Sequence, residues 1–136
     1  MLNRVSHSLE KGWFDLAYAQ HACSVRLTLP DGSTVEATKS DLFEALRTIR
    51  REIESRDLVL LCNGSRRDVY PPSGLTRQWI GGRKAYILRL HVEPNMDDVV
   101  DIFAPTQEEF VASVQEQRAY FEAWWLNKTG RLPAGS

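Results

Sequence analysis

This 136-residue sequence is poor in the features that usually announce a function. Its two cysteines, Cys23 and Cys62, and three histidines, His7, His21 and His91, are scattered, with no CxxC or HxxxH spacing. A metal centre needs clustered sulfur, imidazole or carboxylate ligands, so none is expected. Both cysteines sit in apolar, strand-like surroundings and read as reduced core residues. The longest apolar run, Leu58–Cys62, falls far short of the roughly 20 residues of a membrane-spanning helix. The opening MLNRVSHS holds no apolar run of the signal-peptide kind, and a cytoplasmic location is the expectation.

A large charge is missing too. The formal net charge of −1 does not suit a nucleic-acid binder, so nucleic acid is not expected as a partner. Neither GxxxxGK[ST] nor GxGxxG occurs, and Gly82-Arg83-Lys84 precedes a strand pattern rather than the helix that phosphate cradling requires. No GxSxG or paired-carboxylate motif organises Ser65, Asp68, His91, Asp97 and Asp98 into a reaction centre. No catalysis and no cofactor are expected.

What is present is charge segregated along the chain. Residues 62–84 carry Arg66, Arg67, Arg77, Arg83 and Lys84 against Asp68 alone, a net of +4. Residues 93–122 carry eight carboxylates against Arg118 alone, a net of −7. Such blocks often mark interaction surfaces.

Periodicity supplies the fold class. Alternation predicts a first strand over 14–18 and a hairpin over 22–38, turning at Pro30-Asp31-Gly32-Ser33. Leu42, Phe43, Leu46, Ile49 and Ile53 recur at helical spacing and predict a helix over 40–56, capped by Thr38 or Ser40. Arg47, Arg50 and Arg51 are then assigned to its polar face. Leu58–Cys62 reads as an interior strand, KAYILRLHV (84–92) as another, and Val99–Phe103 as a short one. A second helix is expected from Thr106, with Glu109 completing a capping box, Phe110, Val114, Phe121 and Trp125 on its apolar stripe, and Gly130 as its C-cap. Of the adjacent Trp124 and Trp125, one is expected inside and one outside. The sum is a single α+β domain over 1–136, frayed at 1–12 and 130–136. Its mostly antiparallel sheet of about five strands carries two long helices on one face.

Between Cys62 and Lys84 lie about 20 residues without periodicity, long for a loop in a small domain. Arginine, tyrosine and tryptophan interleave there, the residue types enriched at protein–protein hot spots. The candidate contact residues are Arg66, Arg67, Asp68, Tyr70, Arg77, Trp79 and Arg83, with Asp97 and Asp98 from the acidic stretch. Two other readings stay open: a scaffold loop packed on the sheet edge, and a small nucleotide- or nucleic-acid-binding protein or enzyme using the basic 63–84 loop.

The segments LVLLCNGSRRDVYPPSGL, GGRKAYILRL and DIFAPTQEEF…QRAYFEAWW resemble small bacterial proteins of polymorphic-toxin and type VI secretion neighbourhoods, which act as immunity proteins. The resemblance covers about residues 55–126. It implies a cytoplasmic protein that binds a cognate toxin and occludes its active site, with no catalytic residue of its own.

Overall fold

A computed structural model describes residues 2–3, 12–19, 22–71 and 83–131. Arg77 and Trp79 lie outside them. The alternation in the first third of the chain produces an antiparallel meander of β2 (Trp13–Ala19), β3 (Ala22–Thr28) and β4 (Thr34–Lys39), a two-residue β1 (Leu2–Asn3) preceding it. The register Leu16↔Val25↔Ala37 places Phe14, Leu16, Cys23, Val25, Leu27, Val35 and Ala37 on the inner face. The outer face is polar, with Ser24 and Thr38 hydroxyls 2.7 Å apart and Arg26 3.2 Å from Glu36. Gly32 takes φ 88 in the hairpin turn, a left-handed conformation that glycine adopts without penalty.

Helix α1 (Leu42–Glu54) is capped by Asp41, whose carboxylate accepts from Glu44 N at 2.8 Å. Thr38 and Ser40 do not cap it, since Thr38 is still paired in β4. The helix packs on β3 and β4 on one side and on the 63–65 turn and the C-terminal helix on the other. It therefore buries far more than one stripe. Arg47 and Arg50, assigned to the polar face, are only 7% and 2% exposed.

The later strands do not join the first sheet. Of the expected interior strand, Leu58–Val59 (β5) pairs with β1, both residues half-buried, and Cys62 forms an isolated antiparallel bridge to Pro105. Leu60 and Cys62 still reach the core, and both cysteines are free and buried. After a 3-10 turn at Asn63–Ser65 come β6 (Val69–Tyr70), β7 (Lys84–Ile87) and β8 (Val99–Asp101), a second antiparallel sheet in the order β6-β7-β8. The expected strand over 84–92 ends early: Leu88 N still donates to Asp68 O, and the chain then turns, with Val92 N donating to Arg89 O and His91 at φ 65. Leu90 and Val92 are consequently exposed. The α+β class holds, but as two three-stranded sheets and a short extra pair rather than one five-stranded sheet.

Helix α2 (Val114–Thr129) begins later than its sequence predicts. Val111 bridges to Arg66 and Ala112 N donates to Ser65 O at 3.0 Å, holding residues 111–112 extended. Glu108–Phe110 is an isolated 3-10 turn, and Ser113 with Glu116 forms the true capping box. Val114, Phe121 and Trp124 are buried, Trp125 is half-buried, and Phe110, expected on the apolar stripe, is 41% exposed. Gly130 closes the helix at φ 78. Among the described residues, no helix is long and apolar enough to cross a membrane and no cluster of His, Cys, Asp and Glu could hold a metal ion.

Candidate functional site

The loop that follows Cys62 starts with a close approach. A side chain on Gly64 would collide with the end of Leu46 and crowd Ile102, so glycine lets the turn sink between α1 and the second sheet. From there the backbone is gripped by one side chain of α2. Gln117, fully buried, points its amide nitrogen at the carbonyls of Gly64 (2.8 Å), Arg66 (2.8 Å) and Val69 (3.0 Å). Its amide oxygen accepts from Arg50 Nη1 at 2.6 Å. Arg50 also donates to Gly64 O at 3.0 Å and Ala112 O at 2.8 Å. All three partners are neutral, and burial pulls the Arg50 guanidinium down to about 10.

Tyr70 is anchored next to this hub. Its ring stacks on Phe121 at 4.1 Å and meets Phe43 edge-on at 5.0 Å, while its hydroxyl accepts from Arg47 (2.7 Å) and Arg118 (2.9 Å). At 8% exposure Tyr70 offers a partner almost no surface. The described part of the loop is therefore held in place along its length.

On this support stands a surface of arginines and aromatic rings. Arg66 grips Asp68 with two nitrogens, at 2.9 and 3.0 Å, and its guanidinium lies 4.4 Å from the Phe110 ring centre. The exposed Arg67 donates its backbone N–H to Phe110 O at 3.0 Å and sets its guanidinium 5.4 Å from the Tyr120 ring. Tyr120 in turn donates its hydroxyl to Leu88 O at 2.8 Å. Burial, and then the charge of Asp68, push that hydroxyl above the usual phenol range.

The remaining candidates are dispersed. Arg83 sits on the second sheet, 3.0 Å from Asp101. Asp97 is exposed at a 3-10 turn, whereas Asp98 is buried, capping that turn and meeting Arg89 at 2.5 Å. Of the acidic block, Asp97, Glu108 and Glu109 stand exposed, while the other carboxylates have partners. Glu93, Asp98, Asp101 and Glu122 are each ion-paired, to Lys128, Arg89, Arg83 and Arg118, and Glu116 serves a helix cap.

Sequence reasoning missed Phe110, Tyr120, Arg50 and Gln117. Arg50 had a signal, because it falls four residues after Leu46 and three before Ile53, on the same helical stripe. Gln117 had none, since its role depends on a loop distant in sequence. No family model matches the chain, and no match was found among curated proteins.

Proposed function

We propose that the chain is a protein-binding module that recognises a cognate interbacterial toxin in the cytoplasm and occludes its active site without any catalysis. The observation that carries this reading is the pinned surface of Arg66, Arg67, Phe110 and Tyr120. Two guanidiniums rest on aromatic faces there, over a backbone clamped from below by Gln117 and Arg50. Arginine and aromatic residues dominate interface hot spots, and a surface already rigid before binding avoids the entropy cost of ordering itself. Arg67, exposed and paired with no carboxylate among the described residues, suits a partner that presents one, such as a toxin catalytic cleft. The resemblance of residues 55–126 to immunity proteins points the same way.

The test is whether a neighbouring gene encodes a toxin domain and whether the chain binds that domain, by calorimetry. Arg67→Ala and Phe110→Ala should each weaken binding by about thirtyfold, ~2 kcal/mol, as central anchors do. Their melting temperatures should stay within the range of ordinary surface changes, ~0.5 kcal/mol. Full-strength binding by both variants would remove this face from the interaction. A reproducible thermal shift and turnover with a nucleotide or short RNA would replace the reading with that of a nucleotide-handling enzyme.

A further inference from the structure

Tyr120, Trp124 and Lys128 follow one another at four-residue spacing and form one stripe along the later part of α2. The turn after Leu88 lies against that stripe. Tyr120 donates its hydroxyl to Leu88 O, and Lys128 Nζ lies 3.1 Å from a Glu93 carboxylate oxygen and 5.1 Å from the Trp124 ring centre. Between turn and helix is a cavity of about 240 Å³, lined by His91, Val92, Glu93, Trp124, Asn127 and Lys128. Pockets for drug-sized ligands hold ~300–1,000 Å³, so this one suits a molecule no larger than a single amino acid.

One donor in its wall has no acceptor. Among the described residues, Arg47 Nε is the side-chain nitrogen sealed from solvent without a partner. The indole N–H of Trp124 has no partner among them either, yet Trp124 is only 3% exposed, so this N–H meets solvent at the cavity that Trp124 lines. A buried indole N–H usually finds an acceptor. Here an acceptor that enters the cavity supplies it.

We propose that the cavity binds a small zwitterion of the free α-amino acid class. Its carboxylate accepts from the Trp124 N–H and from Lys128, its ammonium group donates to Glu93, and its side chain rests on Val92. The charges of the wall select this class. A lone carboxylate would be repelled by Glu93, and a lone ammonium group by Lys128. A zwitterion exchanges the Lys128–Glu93 pair for two new ones, and an exposed pair of this kind gives up little when it opens. None of Arg66, Arg67, Phe110 and Tyr120 lines the cavity, so the proposal stands independently of the toxin reading.

Titration of the full chain with glycine, L-leucine and L-phenylalanine tests it, followed through the Trp124 indole resonance in nitrogen–proton correlation spectra. At least one of the three should move that resonance to saturation. The amide of that amino acid lacks the carboxylate, and its deamino acid lacks the ammonium group. Each should bind at least tenfold more weakly, and Glu93→Gln and Lys128→Gln should each weaken the amino acid by a similar factor. Both positions are exposed, so melting temperatures should hold. A resonance that none of the three amino acids moves overturns the proposal. So does binding that the amide or the deamino acid equals, or that both substitutions leave at full strength.

Discussion

Arg50 carries its charge into the interior with only neutral oxygens as hydrogen-bond partners, and the arrangement survives because those oxygens are held by the loop, by the extended residue Ala112 and by α2. A buried polar network is stable only when each member is satisfied. Gln117→Leu removes the acceptor for Arg50 and the donor for the Arg66 and Val69 carbonyls together. With ~1–3 kcal/mol for each group left unpaired, unfolding in urea should show a loss of roughly 3 kcal/mol or more. An unchanged midpoint would mean that water substitutes for the amide. The pH behaviour has a definite sign. The folded protein holds the Arg50 proton less tightly than the unfolded chain does, so the charge costs stability at all pH values below about 10. That cost is constant through neutrality and is relieved only as pH rises past about 10.

Among the elements, α2 gives the sharpest contrast between expectation and outcome. Thr106 and Ser113 both head an S/T-x-x-E pattern, so local sequence permits either as the helix start. The choice is made by tertiary pairing, since residues 111–112 are bound to Ser65 and Arg66, and by Glu54, whose carboxylate accepts from Val114 N at 2.9 Å. Ser113→Ala should lower stability by ~1 kcal/mol, while Thr106→Ala should leave thermal melting nearly unchanged. Elements with strong local periodicity were legible: the β3–β4 hairpin, the apolar stripe of α1, and Gly130 at the end of α2. Leu60, Val114 and Phe121 were legible as core. Strand length was not, because the stop is imposed by the turn through Arg89, His91 and Val92. Nor was the sheet count, since no pattern in Leu58–Cys62 or Lys84–Val92 says which strand each will meet. Of the candidate face, Arg66 and Arg67 were visible in the loop, but their rings come from residues more than forty positions away.

At the scale of the molecule, the two blocks of charge touch on folding among the described residues. Arg83 from the basic block neutralises Asp101 from the acidic one, and Arg118 and Lys128 neutralise Glu122 and Glu93. Where these charges interleave in pairs, selectivity for a partner comes from the shape and pairing of particular side chains. The grip of Gln117 on the loop also sets an order of events in synthesis. Gln117 is made 67 residues after Arg50, and during translation the 63–70 segment leaves the ribosome before the helix that fixes it exists. Until α2 arrives, the Arg66 and Val69 carbonyls lack the Gln117 amide that binds them. A chain ending at Ser113 should be cut by trypsin at Arg66 and Arg67 under conditions in which the complete protein resists. Resistance of the shortened chain would show that the loop sets itself. Otherwise, a ribosome that stalls before α2 leaves behind a fragment that cellular quality control can recognise and remove.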